Sequence, residues 1–335
     1  MEYRKLGASG IEASAIGFGA WAIGGWMWGG ADERDAVAAI HASLDRGITL
    51  LDTAPVYGFG RSEEIVGKAI RGRRDKVVLA TKCGLVWDIE AGDFHFRSDR
   101  RCIKMDATEY KVFKCLRPDI IRRDVETSLN RLGTDRIDLY QTHWQDSTTP
   151  IEEAVEVLLD LKKQGKIRAI GCSNATTAQM DSYRAAGQLD SDQELYSMID
   201  RDRERTNLDY CSRNGIAFLA YSPLARGLLT GAIGPGRVFD DGDQRSGRPR
   251  FSVDNRRRVL ALLEELRPFA DAHSATFGQL ALAWTAAQRG CSHVLAGARN
   301  PGQAVENAAA SSVRLAGDEL AAINAVVERH RGGIA

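Results

Sequence analysis

Eight short apolar runs recur along the 335-residue chain, and a stretch of helical length follows each of them. The runs begin near residues 15, 48, 77, 137, 168, 193, 216 and 293. Short apolar strands separated by helices pair in parallel through crossovers, because a tight hairpin cannot join parallel neighbours. Eight such units favour a closed barrel over an open, doubly wound sheet. The expectation is therefore an α/β fold, a (β/α)8 TIM barrel. No Pro-, Gly- or Ser-rich linker divides the chain, so residues 1–335 read as one domain.

Ahead of the first run, residues 3–6 and 11–13 flank Gly7-Ala-Ser-Gly10, which predicts an N-terminal β-hairpin. The pattern predicts helices over 33–46, 62–71, 119–132, 151–164, 177–186, 204–214, 254–271, 276–289, 301–310 and 317–330, with Asp32 capping the first. Two long loops interrupt the rhythm, both leaving the C-terminal end of a strand. Residues 83–118 far exceed the usual connection of about 2–6 residues. Between 97 and 123, nine basic residues (Arg97, Arg100, Arg101, Lys104, Lys111, Lys114, Arg117, Arg122, Arg123) stand against four acidic ones. Such a segment is either a solvated loop or a basic rim that favours anionic substrates. Residues 231–251, rich in Gly, Asp and Arg, are placed to fold over a bound ligand.

In a parallel barrel the active site is assembled at the C-terminal ends of the strands. Asp52, Tyr57, Lys82 and His143 stand at or just beyond three such ends. Singly, each has an ordinary explanation: a turn carboxylate, a surface aromatic, a solvent-reaching lysine, a packed imidazole. Together they suit proton transfer to or from an oxygen. A tyrosine donates its proton reluctantly at a pKa of about 10, and a nearby ammonium lowers that value. Lys82 is expected to supply the ammonium, with Asp52 paired to it.

Other chemistries are disfavoured. Gly17-Phe-Gly-Ala-Trp-Ala22 matches a dinucleotide fingerprint, but no helix can start in the Ile23-Gly-Gly-Trp-Met-Trp-Gly-Gly30 that follows. Those glycines instead allow close approach of a ligand, with Trp21, Trp26 and Trp28 as packing residues or pocket walls. The six histidines lack paired metal-ligand spacing, and neither a P-loop nor a G-x-S-x-G elbow occurs. Lys plus Arg equals Asp plus Glu, 45 against 45, so no net field points to nucleic acid or a membrane. The six cysteines are scattered and read as reduced thiols. No signal peptide or membrane span is evident, and a cytoplasmic protein, monomeric or weakly homo-oligomeric, is expected.

With these residues in place, the chain resembles the aldo-keto reductase superfamily over essentially its whole length. The matching blocks include Asp52-Thr-Ala-Pro-Val-Tyr-Gly-Phe-Gly-Arg-Ser-Glu-Glu-Ile-Val-Gly67, Leu79-Ala-Thr-Lys82 and Arg131-Leu-Gly-Thr-Asp-Arg-Ile-Asp-Leu-Tyr-Gln-Thr-His143. Gly165-Lys-Ile-Arg-Ala-Ile-Gly-Cys-Ser-Asn174, Ala220-Tyr-Ser-Pro-Leu-Ala-Arg-Gly-Leu-Leu-Thr-Gly231 and Gly297-Ala-Arg-Asn-Pro-Gly-Gln303 complete them. It is most similar to the bacterial branch of general-stress and inositol-associated reductases.

The resemblance implies carbonyl–alcohol interconversion on a small polar substrate such as a sugar, polyol or short aldehyde. Tyr57 would be general acid, Lys82 and Asp52 would set its acidity, and His143 would orient the carbonyl. It places a nicotinamide cofactor against Gly19, Ala20, Trp21, Asp52, Ser173, Asn174, Gln193 and Tyr221. Ser222, Pro223, Leu224, Arg226 and Gly227 would follow the pyrophosphate, and Gly297, Arg299, Gln303, Glu306 and Asn307 the adenosine end. Trp21, Tyr57, Trp87, His143 and Trp144 are the expected substrate contacts. Family members often carry a lysine at the position of Gly297 and an arginine at that of Gln303, both on the 2′-phosphate. Arg299 is the cation that remains, and its planar fork suits phosphate. NADP(H) is therefore expected, with NAD(H) second. The alternatives are a nucleotide-binding regulatory subunit with little turnover and a metal-dependent barrel hydrolase or isomerase.

Overall fold

A computed structural model describes residues 1–335. The chain opens with β1 (Tyr3–Lys5) and β2 (Glu12–Ser14), an antiparallel hairpin with Tyr3 opposite Ser14. The barrel begins with β3 (Ile16–Gly19), α1 (Glu33–Asp45), β4 (Leu50–Asp52), α2 (Arg61–Ile70) and β5 (Val78–Cys83). An inserted sheet of β6 (Leu85–Val86), β7 (Asp93–Ser98) and β8 (Tyr110–Lys114) follows. Next come α3 (Pro118–Leu132), β9 (Ile137–Thr142), α4 (Ile151–Lys163), β10 (Ile167–Ser173) and α5 (Thr177–Ala186). Then β11 (Ser191–Leu195), α6 (Asp209–Asn214), β12 (Ala217–Tyr221), α7 (Val253–Ala272), α8 (Phe277–Ala287), β13 (Cys291–Gly297), α9 (Pro301–Ala309) and α10 (Gly317–Arg331) complete the chain.

Strands β3, β4, β5, β9, β10, β11, β12 and β13 pair in sequence order, all parallel, and β13 returns to β3 to close the barrel. Alternation along the strands decides the layers. Leu50, Ala80 and Leu139 point into the barrel, while their neighbours Leu51, Leu79 and Tyr140 face the helices. The interior cluster mixes large and small residues, Leu219 and Leu295 beside Ala169 and Ala217. Leu6, Ile11 and Ala13 of the hairpin join it and plug the N-terminal mouth.

Local chemistry sets the helix starts. The Asp32 side chain accepts the Asp35 N–H, as expected, and Thr176 and Thr276 each form a reciprocal capping box with the glutamine three residues on. The predicted helix over 204–214 is instead a π turn over residues 204–208 leading into α6. Asn207 in that turn is buried and donates to Ala175 O and to Asp192, so its side chain is held inward and the turn widens.

The 83–118 segment is not an irregular loop. Its strands form an antiparallel sheet in the order β6-β8-β7, with Leu85 opposite Lys114 and Ser98 opposite Tyr110. No helix is long and apolar enough to cross a membrane, and all six cysteines are free thiols.

Candidate active site

The barrel register brings the four strand-end residues together. Asp52 closes β4, Lys82 lies near the end of β5, and His143 follows β9, its N–H bonded to Cys83 O at 2.9 Å. Lys82 is wholly buried. Its Nζ donates to Asp52 Oδ2 at 2.7 Å, to Thr53 O at 2.9 Å and to Tyr57 Oη at 3.4 Å. All three protons of the ammonium are therefore placed. The other Asp52 oxygen accepts from Gln193 Nε2 at 2.8 Å and Gln141 Nε2 at 3.3 Å. The Tyr57 and His143 rings meet edge to face, their centroids 5.7 Å apart.

Electrostatics here departs from one expectation. Burial, then the Asp52 carboxylate, push the Tyr57 phenol well above its ordinary range rather than below it. The Lys82 charge is largely committed to Asp52, and Tyr57 holds only its longest hydrogen bond. Burial lowers Lys82, opposed by its pairing with Asp52. Burial, with the Lys82 charge and His95, holds the His143 imidazole well below its usual pKa. At neutral pH the site thus presents a protonated phenol and a neutral imidazole, both able to hydrogen-bond a carbonyl oxygen.

These groups open into a cavity of about 610 Å³ that continues along the C-terminal face as a groove. Of the residues expected at the cofactor, Gly19, Trp21, Asp52, Ser173, Asn174, Gln193, Tyr221, Ser222, Pro223, Leu224, Arg226, Gly227, Gly297, Arg299, Gln303, Glu306 and Asn307 all line it. Ala20 does not. It is buried behind the wall, its N–H bonded to Asp52 O at 2.8 Å. Of the expected substrate contacts, Trp21, Tyr57, His143 and Trp144 line the cavity and Trp87 does not. The Trp87 ring instead packs on Phe59 at 5.4 Å, with Arg131 at 5.9 Å.

The groove walls suit a dinucleotide in three parts. At one end, Asn174 links Ser173 Oγ, His143 O and the Tyr221 hydroxyl, making a cluster of amide and hydroxyl groups beside an aromatic ring. In the middle, Arg226 is crowded by Arg248 and Arg250, an excess of positive charge that an anion would relieve. At the other end, Gly19 and Gly297 pair across β3 and β13, and a Cβ on Gly297 would meet only Gly19 O, at 3.7 Å. The backbone there is bare to a ligand. Asn174, Ser222, Ala225 and Arg226 all have positive φ, between 48° and 56°. Strain of about 1–3 kcal/mol at each such residue persists where a site requires the geometry.

The chain matches the aldo/keto reductase family model over residues 15–328. It belongs to the aldo/keto reductase family. Among curated relatives, it is 42% identical to an aldo-keto reductase of Bacillus subtilis, covering 98% of this chain and 94% of that one. It is 41% identical to the NADH-specific methylglyoxal reductase of Escherichia coli, covering 94% and 95%. Among solved structures, the glycerol dehydrogenase of Gluconobacter oxydans is similar at a TM-score of 0.86, 39% identity, and 98% and 95% coverage. An aldo/keto reductase of Klebsiella pneumoniae in complex with NADP and acetate follows at 0.71, 30% identity, and 98% and 96% coverage.

Both long loops contribute residues that sequence reasoning missed. Arg237 and Arg245, from the 231–251 segment, line the groove beside Arg226. That segment is latched across it by Gln244 N–H to Met27 O at 2.9 Å and by Arg101 to Asp241. The composition of the segment flagged it, yet no local pattern says which arginines turn inward. From the 83–118 insertion, Leu85, His95, Phe96 and Ile103 reach the cavity. The basic rim does not form as a field. Eight of its nine cations are ion-paired, among them Arg100 with Glu109, Lys104 with Asp99, Lys111 with Glu90 and Lys114 with Asp93. No group of three His, Cys, Asp or Glu side chains is placed to hold a metal ion.

Proposed function

We propose that this chain interconverts short aldehydes or ketones and their alcohols with NADP(H), as one barrel domain over residues 1–335. The carrying observation is the buried Asp52–Lys82–Tyr57 hydrogen-bond chain, which ends with neutral His143 at the floor of the groove. When bound, the reduced nicotinamide supplies the hydride.

The protein's own groups handle the proton and the geometry. Tyr57, kept protonated by burial, donates to the carbonyl oxygen. Lys82 stands 3.4 Å away to stabilise the phenolate that results, and Asp52 with Thr53 O keeps the ammonium from turning elsewhere. His143 aims the oxygen by a hydrogen bond of its own. Leu85, Phe96, Ile103 and Trp21 exclude water from the substrate end, which strengthens each of these interactions.

The cofactor would lie with nicotinamide against Tyr221, its carboxamide at Ser173, Asn174 and Gln193, and its phosphates by Arg226, Arg237 and Arg245. NADP(H) is supported by the Arg299 guanidinium at the adenosine end and by the neighbour solved with NADP. The relative named NADH-specific marks NAD(H) as the competing choice. Short carbonyl compounds, including small sugars and polyols in the reverse direction, fit a substrate end walled by tryptophans.

The test is Tyr57→Phe, assayed by NADPH oxidation over a panel of aldehydes and ketones. Turnover should fall by about 10³-fold or more while NADPH binding stays within a few-fold. Undiminished turnover would refute the proton-donor role.

A further inference from the structure

The 83–118 insertion brings one polar group to the substrate end that the chemistry above leaves idle. Of its four cavity residues, Leu85, His95, Phe96 and Ile103, only His95 can form hydrogen bonds. His95 sits in β7 at the bulge between Phe94 and Phe96, where the pairing with β8 shifts register. A bulge re-aims a side chain, and this one turns the imidazole toward the site. Its ring lies 5.1 Å from that of Trp144, the neighbour of His143, and 4.9 Å from that of Phe96.

No hydrogen bond from the protein engages the ring. Burial and Lys114 alone act on it and bring its pKa down to about 4. A neutral imidazole of this kind offers one N–H and one lone pair. The site therefore has two polar points in an otherwise apolar box: Tyr57 with His143 at one, His95 at the other.

We propose that His95 determines substrate choice by hydrogen-bonding a second oxygen, one or two carbons from the reacting carbonyl. The preferred substrates are then short 2-hydroxy carbonyls and 1,2-dicarbonyls rather than plain alkanals of equal length. A plain alkanal leaves the half-buried imidazole without that partner, and a site built around a hydrogen bond disfavours the analogue that lacks it. The assignment rests on the carbonyl-reduction reading above.

The experiment compares kcat/KM for lactaldehyde and propanal, equal in carbon number, in the wild type, His95→Phe and His95→Gln. The wild type should prefer lactaldehyde by about tenfold, the worth of one neutral hydrogen bond. His95→Phe keeps an aromatic against Trp144 and should abolish that preference through a higher KM for lactaldehyde. His95→Gln should restore most of it. His95→Leu gives the same comparison if the Phe variant does not fold. An unaltered ratio in the Phe or Leu variant, or a Gln variant no better than they are, overturns the role of His95. A wild type that reduces both aldehydes equally well overturns it too and leaves carbonyl reduction standing. One that reduces neither overturns both readings.

Discussion

Lys82 Nζ and Asp52 Oδ2 are 2.7 Å apart, with both side chains sealed from solvent at the centre of the barrel mouth. A buried pair of this kind is weak support for stability but costs about 3–5 kcal/mol when one partner is removed. Asp52→Asn leaves the ammonium facing neutral groups, and burial already favours its uncharged form. The variant should lose about 100-fold in kcat and melt lower than the wild type, measured by steady-state assay and thermal denaturation. A variant with full turnover would show that the pair is structural alone.

Gly24 supports Tyr57 from behind. A methyl added at Gly24 would stand 2.8 Å from Tyr57 O and 3.1 Å from its carbonyl carbon, so the backbone carrying the phenol must move. Gly24→Ala should lower kcat by about 10- to 100-fold, the cost of a small misplacement of a reacting group. At Gly317 nothing lies within 4 Å of an added Cβ, so Gly317→Ala serves as the control. Equal rates in the two variants would contradict the geometric argument.

Arg299 donates to Gly30 O at 2.7 Å from the adenosine end of the groove, and Gln303 accepts its backbone N–H. Arg299→Ala should weaken NADPH binding by about tenfold or more, as expected for a charged hydrogen bond to phosphate. NADH binding should change little. Cofactor titrations followed by fluorescence separate the cases, and equal losses would remove Arg299 from recognition of the 2′-phosphate.

Glu194 provides a pH test that is independent of activity. Burial and the neighbouring Asp192 carboxylate push it up to about 8, although Arg203 and the Ala175 N–H favour its charge. Its pKa is raised on folding, so the stability it contributes is complete below its unfolded value of about 4.5 and is lost as pH rises through about 8. Asp192, raised to about 6 by burial, acts in the same direction. Between pH 5 and 8 the melting temperature of Glu194→Gln should therefore gain on that of the wild type. Parallel curves would mean that the carboxylate is not held protonated.

The sequence alone was enough for the eight barrel strands, the closure of the barrel, the N-terminal hairpin and the placing of four polar residues at the strand ends. Each of these follows from local periodicity, or from the rule that parallel strands present their C-terminal ends to one face. Asp52 and Lys82 could be paired on paper because their strands are neighbours. Tertiary structure decided what depends on the sum of the surroundings. The sign of the Tyr57 shift is set by burial and by the nearby Asp52 carboxylate. Trp87 and Ala20 face away from the cavity because packing on Phe59 and a backbone hydrogen bond to Asp52 claim them first. The basic residues of the insertion carry little field because folding places an acid beside all but one of them. The insertion itself pairs into a sheet whose bulge aims His95 at the substrate end, a direction set by strand register and not by any residue's identity.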